Sequence, residues 1–100
     1  MVKHIVFWKL KPDVDGSTAS ENARRMKAVL EELCETVPGI VALEVGINFN
    51  PSDAAYDVAL YSEFESRAGL ESYQKHPDHV AAAEFVKSVV TERAVVDYEL

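Results

Sequence analysis

Cysteine is almost absent from this 100-residue chain, with Cys34 standing alone. One thiol can form neither an intrachain disulfide nor a thiolate metal cage. Within an apolar helical pattern it is expected to act as a small buried hydrophobe rather than a reactive group. Positive charge is scarce too: ten Lys and Arg stand against 17 Asp and Glu, a formal net charge of −7. Such a chain lacks the basic stripe that a nucleic-acid backbone requires, and nothing draws it to an anionic membrane surface. No apolar run approaches the roughly 18 residues of a membrane helix. Val2–Leu10 is broken by Lys3, His4 and Lys9, unlike a secretory leader, so a cytoplasmic location is expected. A Gly-rich phosphate loop and a Gly-x-Ser-x-Gly elbow are missing as well. What remains, 48% hydrophobic and 27% charged with four Gly and four Pro, is ordinary globular composition. It fits one domain over residues 1–100.

Periodicity divides the chain. Val2, His4, Val6, Trp8 and Leu10 alternate with Lys3, Ile5, Phe7 and Lys9, which predicts a strand with apolar residues on both sides. Lys11–Ser20 is a polar connection with Pro12 and Gly16, and Ser17 or Ser20 is the expected helix cap. Ala23, Met26, Leu30, Leu33, Cys34 and Val37 then recur at helical steps until Pro38-Gly39. Strands are expected at Ile40–Phe49 and Tyr56–Phe64, joined by a turn at Asn50-Pro51-Ser52-Asp53 as an antiparallel hairpin. Ser66 opens a short helix carrying Leu70 and Tyr73, and His76-Pro77 breaks it. A further helix over about His79–Val89 presents Val80, Ala83, Phe85, Val86 and Val90. Thr91–Leu100 reads as the last strand.

This order is that of an α+β, ferredoxin-like fold: a four-stranded antiparallel sheet with helices on one face. In a lone subunit the other face would be polar. Here both strand faces carry apolar groups, Ile5 and Phe7 as well as Val6 and Trp8. An exposed apolar sheet of this kind is an interaction surface. The expected partner is a second copy packing sheet to sheet about a two-fold axis.

Three stretches resemble the stress-responsive α/β-barrel (Dabb) domain family. They are Val2–Leu10, the run Tyr73-Gln74-Lys75-His76-Pro77-Asp78-His79-Val80, and Val95-Val96-Asp97-Tyr98. The resemblance covers essentially the whole chain and implies ferredoxin-like subunits pairing into a dimeric α/β barrel. The family includes olivetolic acid cyclase, which closes a linear poly-β-ketone by aldol condensation without a metal. On that resemblance His4, Tyr73 and His79 match a pocket histidine–tyrosine set, and His76 matches a further histidine of the motif.

These residue types suit that chemistry. Imidazole titrates near neutrality and can take a proton from a carbon beside a ketone, while a tyrosine hydroxyl can donate to the enolate oxygen. On this reading His79 is the base, Tyr73 the donor and His4 a second polar contact, with His76 and Trp8 expected to contact a small hydrophobic or carbonyl ligand. Each has a plainer reading. His4 could be a satisfied structural histidine, His76 and His79 could tidy the helix break, and Trp8 could be a core or dimer-face aromatic. His76, Asp78 and His79 do not suggest a metal site, because Pro77 distorts their spacing and no further ligand lies nearby. No cofactor is expected. Two other readings stand beside the carbonyl one: a non-catalytic stress-linked interaction protein, and a haem-degrading or quinol monooxygenase on a related barrel. A cavity reached by His4, Tyr73 and His79 together would separate the first reading from the second.

Overall fold

A computed structural model describes residues 1–100. The central strand β1 (Val2–Leu10) is followed by two short strands, β2 (Asp13–Val14) and β3 (Ser17–Thr18), and by helix α1 (Ala19–Thr36). Next come β4 (Ile40–Ile47), β5 (Val58–Phe64), α2 (Arg67–Lys75), α3 (Pro77–Val89) and β6 (Val90–Glu99). The main sheet is four-stranded with the order β4-β5-β1-β6, and every pairing in it is antiparallel. This is the ferredoxin-like arrangement expected from the sequence. No helix is long and apolar enough to cross a membrane.

The pleat sorts β1. Val2, His4, Val6, Trp8 and Leu10 are buried towards the helices, whereas Lys3, Ile5 and Lys9 are half-buried and Phe7 is exposed on the other face. Val58, Leu60, Ser62 and Phe64 of β5 join the buried side. Ala23, Met26, Leu30, Leu33 and Val37, on and just after α1, pack down on them.

Several boundaries differ from the sequence reading for identifiable reasons. The helix cap is Thr18, neither Ser17 nor Ser20: its hydroxyl accepts the Glu21 amide at 3.1 Å, and the Glu21 carboxylate accepts the Thr18 amide at 3.1 Å. That reciprocal pair is a capping box. The polar connection before it holds a small ribbon, because Asp15 and Gly16 take φ of 49° and 89°, the positive values a tight two-residue hairpin turn demands. Strand β4 ends at Ile47 and β5 starts at Val58, so residues 48–57 form a longer loop than the four-residue turn expected. Asp57 in that loop turns its carboxylate to the Leu10 amide at 2.7 Å, which ends the β1 ladder. Cys34 is exposed, whereas Asn22, not expected inside, is 1% exposed. The buried stripe of α1 runs one position to the side of Cys34. In α3 the buried residues are Ala82, Val86 and Val89, while Val80 is exposed and Ala83 faces a cavity.

Candidate functional site

The sheet and helices do not close completely over β1. A cavity of about 390 Å³ lies between them, with Val6, Trp8 and Leu60 of the sheet below and Leu30 and Val86 of the helices above. That volume falls near the lower end of the roughly 300–1,000 Å³ range of small-molecule sites.

His4 lies in the floor, 3% exposed. In the antiparallel register it faces Asp97 on β6 and Ser62 on β5. Its Nδ1 is hydrogen-bonded to the Asp97 carboxylate, and the Ser62 hydroxyl donates to its carbonyl at 3.2 Å. A carboxylate only accepts, so Nδ1 carries the proton and a neutral ring keeps its lone pair on Nε2. In the sequence Asp97 stands out only as part of a motif; its pairing with His4 spans 93 positions and carries no local signal.

Tyr73 and His79 come from opposite sides of the helix break. The residue before a proline is pushed out of the α region, so α2 ends at Lys75 with His76 as its extended cap, and Pro77 opens α3. The bend sets the Tyr73 and His79 rings 4.5 Å apart between centroids, and Phe64 supports Tyr73 from 5.0 Å. The Nδ1 of His79 donates to the Gln74 carbonyl at 3.1 Å. A neutral imidazole held that way keeps its lone pair on Nε2. Burial pushes the His79 pKa down, the Gln74 carbonyl opposes this, and His4 and Arg93 lower it further. Burial raises the Tyr73 hydroxyl to about 12, with Cys34 adding to the effect.

Four of the five candidate residues, His4, Trp8, Tyr73 and His79, therefore border one cavity. His76 is not among them. Its Nδ1 accepts the Asp78 amide at 3.1 Å, capping α3, and the ring stays outside the lining. Two residues that the sequence did not single out, Lys87 and Arg93, also border the cavity.

An antiparallel α+β sheet with helices on one face and a His/Tyr-lined cavity beneath them defines a ferredoxin-like protein with a cavity of small-molecule size. The model of the stress responsive A/B barrel domain (Dabb) matches residues 2–100, and the chain belongs to that family. A stress-response A/B barrel domain-containing protein of Arabidopsis thaliana is 30% identical over 103 residues. That match covers 98% of this chain but 36% of the Arabidopsis protein, so the chain spans about a third of that relative's length. A dimeric protein of unknown function with a ferredoxin-like fold from Bacteroides fragilis is 38% identical, with a TM-score of 0.85 over 99% of this chain and 95% of its own. Hydroxynitrile lyase from Passiflora edulis shares the fold at 21% identity, with a TM-score of 0.82 over 97% of this chain and 90% of its own.

Proposed function

We propose that the chain works as a homodimer whose cavities bind a small carbonyl compound and perform cofactor-independent acid–base chemistry on it. The observation that carries this reading is the Nδ1 contact of His79 to the Gln74 carbonyl, which leaves Nε2 as a proton acceptor. Lowered proton affinity keeps that imidazole neutral at physiological pH, the state a general base requires.

In the step, His79 Nε2 takes a proton from the carbon beside the carbonyl. The C–H electron pair becomes a C=C bond and the carbonyl π pair moves to the oxygen, giving an enolate that the Tyr73 hydroxyl stabilises by donating a hydrogen bond. With its pKa raised to about 12, Tyr73 stays protonated and able to donate. His4, oriented by Asp97, supplies a second polar contact, and Trp8 forms an apolar wall. The enolate carbon then attacks a second carbonyl of the same molecule, forming a C–C bond, and the new alkoxide recovers a proton from the His79 imidazolium. All the groups this needs are side chains.

Dimerisation is supported by the apolar centre of the uncovered sheet face and by the dimeric Bacteroides relative. A cytoplasmic location is part of the same reading.

The test is hydrogen exchange of a bound ketone. In D₂O, wild-type protein is expected to wash the protons beside the ketone out of methyl 3-benzoylpropionate. His79→Gln should slow this by about 10²–10⁴-fold, the usual worth of a general base. Equal exchange rates in the two proteins, with ligand bound to both, would remove the catalytic reading and leave a non-catalytic binding or interaction protein.

A further inference from the structure

The rim of the cavity differs chemically from its floor. Lys87, in the last turn of α3, and Arg93, on β6, both border the opening. Arg93 stands opposite Trp8 in the β1–β6 register, which puts it on the helix side of the sheet next to the cavity's aromatic wall. The other lysines and arginines all have a partner. Lys3, Lys9, Lys27, Arg67 and Lys75 are in ion pairs. Lys11 and Arg24 donate to oxygens of Ser88 and Ser20, and Arg25 lies over the Phe85 ring. Lys87 and Arg93 alone have no ion pair, hydrogen bond or aromatic face.

No carboxylate forms an ion pair with either, Glu84 one turn before Lys87 on α3 included. Glu92, the acidic residue on the cavity lining, is 3.5 Å from Lys9, and Asp97 is held by His4. In a chain of net charge −7, the two unpartnered cations are thus gathered at the opening of the apolar-walled cavity that holds His4 and His79. Such local concentration of charge focuses an anion against the prevailing field of the molecule.

We infer that the cavity takes a carboxylate-bearing ligand, gripped at the rim by Arg93 and Lys87 while its apolar body lies along Trp8 and Val86. This rests on the carbonyl-compound reading above and adds the charge class of the molecule. The guanidinium presents a planar fork that matches a carboxylate, and the ammonium adds a mobile point charge from the opposite wall. At the rim the carboxylate keeps part of its hydration, so it escapes most of the desolvation cost of a buried ion. The Arg93 charge also reaches His79 and lowers its proton affinity, consistent with the rim and the base sharing one space.

Titration calorimetry with 3-benzoylpropionate and its methyl ester tests the inference. Wild-type protein should bind the acid about tenfold more tightly than the ester, and the preference should shrink as ionic strength rises. The Arg93→Gln/Lys87→Gln double variant should bind acid and ester alike, the acid having lost its tenfold advantage, whereas Arg93→Lys, which keeps the charge and loses the fork, should retain only part of the preference. Equal binding of acid and ester by the wild type, or a preference that survives in the double variant, overturns the carboxylate site. Ester binding without acid preference leaves the carbonyl reading standing. Failure of both compounds to bind at millimolar concentration overturns the two together. Both rim residues are exposed, so melting curves that match the wild type will certify the variants as folded.

Discussion

Val6 and Phe7 are neighbours on β1, yet Val6 is 1% exposed and Phe7 41%. They belong to the two faces of one sheet, and the faces are finished differently. On the helix side, Val2, Val6 and Trp8 are buried by α1, α2 and α3, and the remaining gap is the His/Tyr cavity. On the other side, Ile5, Phe7, Ala94 and Val96 form an apolar centre with no helix above it, and the Lys3–Glu63 and Lys9–Glu92 ion pairs lie towards the two ends of β1. Apolar centre and charged margin is the anatomy of a protein interface. One face therefore carries the information for folding and for the cavity, and the other has the make-up of an assembly surface.

Substitutions on opposite faces should break different things. Leu60→Ala, on the helix side at 2% exposure, is expected to cost about 2–5 kcal/mol in denaturant unfolding through lost burial and a residual cavity. Val96→Asp, on the open side at 58% exposure, should leave the subunit folded and halve the particle mass measured by sedimentation. A Val96→Asp protein that still sediments as a dimer would place the interface elsewhere.

A second contrast is with pH. Tyr73 is held neutral inside the helix side, with its pKa raised from the ordinary 10.0 of a tyrosine to about 12. In the unfolded chain the hydroxyl ionises first, so between about pH 10 and pH 12 the unfolded state loses a proton that the folded state keeps. Stability contributed by Tyr73 is therefore complete below about pH 10 and is lost as pH rises, by up to about 2–3 kcal/mol. Urea midpoints across that range should fall less steeply in Tyr73→Phe. Parallel curves for the two proteins would mean that Tyr73 is not shielded.

The two faces were legible in the sequence to different depths. Alternation along β1 and the helical steps of α1 betray their own burial, so element types, order and the apolar open face follow from local pattern. The Tyr73/His79 pair was legible because Pro77 forces the break that brings the two rings together. The Thr18–Glu21 capping box and the Asp15-Gly16 turn were present as local signals but competed with neighbouring Ser17, Ser20 and Pro12. His4 with Asp97, and Arg93 at the rim, depend on the register between the first and last strands, which no local pattern encodes. His76 shows the reverse difficulty: its place in a motif suggested ligand contact, while its position before Pro77 committed its ring to capping α3.

The smallest expected effect concerns the polar groups buried on the helix side. His4 is bound to Asp97, and Ser62 donates to the His4 carbonyl, so both are satisfied. Asn22 is the exception: at 1% exposure, neither atom of its amide has a hydrogen-bond partner in the chain. A buried amide without partners costs more than the packing it supplies, and a branched apolar side chain of similar size removes that cost. Asn22→Leu is therefore expected to stabilise the protein by about 1 kcal/mol, raising Tm by roughly 4–8 °C. The carbonyl-exchange and carboxylate-binding behaviour should be unchanged, because Asn22 does not border the cavity. A lower Tm in Asn22→Leu would mean that the amide makes a stabilising contact in solution, and the helix side would then be fully satisfied.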